Sequence, residues 1–159
     1  MARTTSTRWA AAAGLALLAA MAGRCAGGAA RTDVTAELQK LNVPSLPKTF
    51  TPAQKAQLQK GWDGKGQWFI RTGCVACHSV SVYGVTGLSP AGPDLALAAD
   101  DVKTRFGRQL DDFLKEPQGT MQMVFTQLLV LTPEQKEDAL KHLKEAFEDY
   151  QRQKAAATH

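Results

Sequence analysis

Three features of the sequence predict an all-α fold. The same helix-start signature, Thr-Pro-x-Gln, occurs at residues 51–54 and again at 132–135. In "DVKTRFGRQLDDFLKEP", Val102, Phe106, Leu110 and Phe113 recur at helical spacing. No stretch alternates apolar and polar residues as a half-buried strand does, and there is no internal repeat. A chain of 159 residues with 44% hydrophobic and 21% charged residues fits one globular domain with extensions.

The first 30 residues read as an export signal. Arg3 and Arg8 precede an apolar run over residues 10–23, which is short of the roughly 18 residues a spanning helix needs. Small residues follow, and cleavage is expected after Ala30, with Gly28 and Ala30 as the small pair. Two alternatives are a retained anchor and lipidation at Cys25. Arg24 stands just before Cys25, where a lipidation signal calls for a small residue. The formal charge of +4 is largely a property of this leader: without Arg3, Arg8 and Arg24, 16 basic residues face 15 acidic ones. Nothing in that balance points to nucleic acid. Cleavage also removes Cys25, and the remaining pair, Cys74 and Cys77, does not make a disulfide scaffold.

Residues 31–60 are expected to form an N-terminal extension, an arm or tether extended around Pro44 and Pro47. A helix starts at Thr51, with Pro52 at its first position and Gln54 completing a capping box. Gly61, Gly64 and Gly66 break it, and a second helix leads through "GQWFIRTG" to the cysteines. The main domain is set at residues 61–152. The stretch 79–97 is a loop punctuated by Gly84, Gly87, Pro90, Gly92 and Pro93. Asp100 or Asp101 caps the next helix and Pro117 stops it. "QGTMQMVFTQLLVL" is expected as a loop before the last helix, whose apolar face is Leu140, Leu143, Phe147 and Tyr150. Residues 153–159 form a disordered tail.

The chemistry concentrates in "TGCVACHSV", residues 72–80. A Cys-x-x-Cys pair can belong to a zinc site, but zinc needs four ligands and His142 alone would have to complete the shell. It can be a redox pair, but that belongs beside a βαβ pattern, which is lacking. Cys-x-x-Cys-His is also the signature of covalent haem attachment. Cys74 and Cys77 then add to the two vinyl groups, and His78 lies under the iron.

At this point the chain resembles the class I monohaem cytochrome c family, over roughly residues 62–150. In that family a glycine and a large apolar residue precede the first cysteine by eight and four positions, as Gly66 and Ile70 do here. The resemblance implies a small helical fold wrapped around one haem c. It implies that Gly66 lets its helix cross closely over the Leu143, Phe147 and Tyr150 face. "GPDL", residues 92–95, is similar to the family's Gly-Pro-x-Leu loop. By that likeness the Pro93 carbonyl accepts the free N–H of His78, and Leu95 packs on the haem face.

The sixth iron ligand decides the function. The family's methionine often lies four residues after a proline, and Met121 stands four after Pro117 with a Gly-Thr pair ahead of it. Met123 is the alternative; in an extended loop the two point to opposite sides. The apolar stretch from Met121 to the last helix is longer than the family leads one to expect. It is read as core, as cover for a haem edge or as a docking surface for a partner. His142, beside the apolar stripe, is expected to be solvated, with bis-histidine ligation as the alternative. Trp62 and Trp68 read as core or haem-pocket aromatics, and Arg105 and Arg108 as propionate partners or solvated charges.

The expected function is single-electron transfer by haem c with His78 and Met121 as axial ligands. The protein is then exported to the periplasm, soluble or tethered through its N-terminus, and is not an enzyme. Its partners are redox donors and acceptors, met as a monomer or as a complex subunit. Two alternatives remain: a haem sensor or small haem enzyme with an open distal site, and a fixed cytochrome subunit of a larger redox complex.

Overall fold

The computed structural model describes residues 32–41, 46–89 and 91–158. The leader, its cleavage point, Cys25, Pro44, Pro90 and His159 lie outside these residues. Among the described residues the structure is helical, and its one β-type pairing is an isolated bridge between Val80 and Val85. The all-α expectation holds. No helix among them is long and apolar enough to cross a membrane.

The chain from Asp33 onward forms one compact unit. It opens with α1 (Val34–Gln39), which sequence reading missed inside the expected arm. The Asp33 carboxylate accepts from the backbone N–H of Thr35 and Ala36, satisfying donors that a helix start leaves open. Val34 and Leu38 are buried, so this segment contributes directly to the core. Helix α2 (Pro52–Trp62) has the expected capping box between Thr51 and Gln54. It buries Leu58, Gly61 and Trp62.

The break predicted at the glycines falls between Trp62 and α3 (Gln67–Arg71). The glycines on either side of this break lie close to Val85. A Cβ on Gly66 would lie 2.7 Å from Val85 Cγ2 and 3.1 Å from the Gly61 carbonyl oxygen. A Cβ on Gly61 would meet the same Val85 methyl at 2.5 Å. Both glycines therefore make room for Val85. Larger side chains join α3 to the last helix, as described below.

The expected single helix after the loop is two helices, α4 (Ala98–Phe106) and α5 (Leu110–Lys115). Gly107, at φ 64°, ends α4 in the left-handed conformation, its N–H bonded to the Lys103 carbonyl. Asp100 and Asp101 lie inside the first turn of α4 and do not cap it; the nearby cap is Asp94, which accepts from the Ala96 N–H. The segment expected as a loop forms the one-turn α6 (Thr120–Met123) and a π-helical turn over Val124–Leu128.

The last helix, α7 (Pro133–Ala157), starts with the predicted Thr132–Gln135 capping box. It continues to Ala157, so the tail expected to be disordered is helical, with residues 151–158 exposed. Ala139, Leu143 and Ala146 form its buried stripe, with Leu140, Phe147 and Tyr150 half-buried beside it. The helix packs against α4, α5 and the short 3₁₀ turns at Ser81–Tyr83 and Leu95–Leu97.

Candidate cofactor-attachment site

The Cys74–His78 segment is one tight turn. Gly73, at φ 78°, turns the chain out of α3, and Cys74–Ala76 form a 3₁₀ turn. The N–H groups of Cys77 and His78 both reach the Cys74 carbonyl, at 3.2 and 3.0 Å. Val75 and Ala76, 0% and 2% exposed, fix the turn to the core. Cys74, Cys77 and His78 are each half-buried as whole residues. Both cysteines are thiols. Burial pushes the Cys74 thiol above its ordinary value, opposed by its contact with Thr72.

The following loop folds back onto this turn. Leu88 N–H donates to the Val75 carbonyl and Gly92 N–H to the Cys77 carbonyl, both at 2.8 Å. Leu95 N–H reaches the Ser79 carbonyl at 2.9 Å. Ser79 Oγ accepts from Gly87 N–H at 2.9 Å. The result brings Pro93 to His78: the proline carbonyl oxygen lies 2.7 Å from His78 Nδ1. With Nδ1 donating there, Nε2 is the nitrogen left to bind a metal. Gly92 lies against the imidazole, and a Cβ at that position would overlap Cε1 and Nδ1 and come within 2.8 Å of Nε2. Leu95 is half-buried against the core.

Met121 and Met123 lie on α6, not on an extended loop, and their surroundings differ. Met121 is half-buried and packs against the core, whereas Met123 is 49% exposed. The π-helical turn leaves Leu128 and Val130 exposed, so this apolar stretch is core only in part.

His142 corrects the expectation of a solvated side chain. Its ring stacks on Trp68 at 4.7 Å, and its Nε2 lies 3.6 Å from Asp138. Trp68 Nε1 donates to the same carboxylate at 2.5 Å. His142 and Trp68 are thus the contact between α3 and α7. Trp62 is core, with Arg71 over its ring at 5.0 Å. Arg105 pairs with Asp101, and Arg108 donates to the Asp112 and Glu116 carbonyls at the end of α5. Among the described residues no three His, Cys, Asp or Glu side chains converge as a metal ion bound by them alone would require.

One neighbour of the site went unread in the sequence. Thr72 Oγ1 lies 3.2 Å from Cys74 Sγ. A hydroxyl two residues before a thiol was the available signal, and only the left-handed turn at Gly73 gives it meaning.

Two thiols and one imidazole with Nδ1 engaged, all on one fixed turn, are a donor set that fits covalently held haem. Compared with protein-family models, curated proteins and solved structures, the chain matches none.

Proposed function

We propose that this chain is an exported single-electron carrier with one haem c, attached through Cys74 and Cys77 and ligated by His78 and Met121. The observation that carries the reading is the pairing of His78 Nδ1 with the Pro93 carbonyl beside two half-buried cysteines. Nothing about a surface turn requires that a histidine be tethered on one nitrogen, pressed by a glycine, and flanked by Cys-x-x-Cys. Holding a metal through Nε2 requires such a fixed ring and tautomer.

Bound haem would supply an iron that gains and loses one electron. The chain's own residues do the remainder. The Pro93 carbonyl orients the imidazole and makes it a stronger donor. Val75, Val80 and Phe69, all buried, anchor the turn, so the ring needs little rearrangement when the charge on its partner changes. Met121 would offer the iron a soft thioether, a ligand type that raises the potential. Met121 is favoured over Met123 because the former packs inward and the latter is solvated.

The test is the ferric absorption spectrum of chain matured in a host that attaches haem. The weak red charge-transfer band of a methionine–iron bond is expected. Met121→Ala abolishes it and Met123→Ala leaves it intact. A high-spin spectrum without the band would instead mean an open distal site and make sensing or catalysis the leading reading.

A further inference from the structure

We propose that Thr72 is a positioning residue for thioether formation at Cys74, an inference that rests on the haem reading above. Thr72 ends α3, and its Oγ1 lies 2.9 Å from the Trp68 carbonyl oxygen, 3.4 Å from that of Phe69 and 3.2 Å from Cys74 Sγ. A threonine hydroxyl has one proton and two lone pairs. The carbonyl at 2.9 Å takes the proton, since 3.4 Å is long for an O–H donor. A lone pair then remains for the S–H of Cys74.

The geometry around this contact is fixed at both ends. The β-branched Thr72 has a stiff χ1, and its hydroxyl is tied to α3. Gly73, at φ 78°, bends the chain so that residue 74 returns toward residue 72. Buried Val75 holds the turn from below. The Cys74 sulfur is thereby held in one direction before any reaction.

The reaction itself needs that. The Cys74 S–H adds across a vinyl C=C of haem. A C–S bond forms at the carbon next to the ring, and the S–H bond and the π bond break. The thiol proton ends on the terminal carbon, with no net gain or loss of electrons. Placing the sulfur beforehand lowers the entropic part of the barrier. The product keeps the arrangement, because Thr72 still has the Trp68 carbonyl as its acceptor.

The experiment compares wild type, Thr72→Val, Thr72→Ser and Cys74→Ala, each matured in the same haem-attaching host. The pyridine haemochrome spectrum reports whether one or two thioethers are present. Iodoacetamide labelling of the unfolded, haem-loaded protein reports which cysteine was left free. Thr72→Val is expected to shift the band most of the way to that of Cys74→Ala, with label on Cys74, while Thr72→Ser keeps the wild-type band. A wild-type band in Thr72→Val overturns the proposal, as does label on Cys77 in place of Cys74. If Thr72→Val accumulates no folded protein, Thr72→Ala is scored by the same two readouts. Wild type without covalent haem overturns the cofactor reading itself, a result separate from any variant.

Discussion

At the scale of single residues, His78 is held from two sides. Pro93 takes its Nδ1, and Gly92 leaves only enough room for the ring. A ring can usually move aside for a new methyl group, but here moving it breaks the 2.7 Å bond to Pro93. Gly92→Ala must therefore either displace the imidazole or push back the loop tied at the Cys77 carbonyl. Overpacking of this kind costs about 1–3 kcal/mol. The expected outcome is a loss of that size in urea unfolding, together with loss of the six-coordinate spectrum in haem-loaded protein. Retention of both would show that the cradle is looser than its geometry. The pairing of His78 with Pro93 was legible at this scale, because Gly-Pro-x-Leu after the histidine points to it. His142 was not. Helical period places it beside the apolar stripe, and only the crossing of α3 over α7 reveals that Trp68 covers it.

At the scale of elements, both capping boxes were legible because they are local: Thr51 with Gln54 and Thr132 with Gln135. The division between α4 and α5 was not, because Val102, Phe106, Leu110 and Phe113 keep one period across it. Gly107 separates them by conformation alone: its φ is 64°, and a Cβ there would meet nothing within 4 Å. Gly107→Ala thus isolates the left-handed penalty from any steric clash. A loss of about 1 kcal/mol is expected, read as a lower urea midpoint at unchanged slope. The haem spectrum should not change, since the substitution touches no neighbour. The short α1 escaped notice because six residues carry too little periodicity, and Pro44 and Pro47 coloured the reading of the whole segment. The π-helical turn after α6 carries no capping residue and no periodic pattern that would announce it.

At the scale of the whole molecule, α7 ties distant parts of the chain together. Near its start Lys136 donates to the Lys115 carbonyl at the end of α5, and near its end Gln153 donates to the Val82 carbonyl. Those residues are roughly 25 Å apart along the helix axis, at about 1.5 Å per residue. Between them Asp149 accepts from Lys65 at 2.8 Å and from the Tyr83 hydroxyl at 3.0 Å, and it pairs with Arg152. No sequence pattern joins positions 65, 83 and 149, so this junction could be found only in the folded chain. The Lys65 ammonium, with Arg152 and Tyr83 assisting against partial desolvation, lowers the Asp149 carboxyl from 3.8 to about 2. Burial, then the hydrogen bond to Asp149, pushes the Tyr83 hydroxyl up. The sign follows from proton uptake. Below 3.8 the unfolded chain binds a proton at Asp149 that the folded chain refuses until about 2. The contribution is therefore complete above 3.8 and is lost as pH falls toward about 2. Asp149→Asn should be less stable than wild type at neutral pH. The gap should narrow through that acid window and close at its lower end, as followed by helical circular dichroism in urea at stepped pH. A gap that stays constant across the window would mean that Asp149 braces the helix by its hydrogen bonds alone, with its charge contributing nothing.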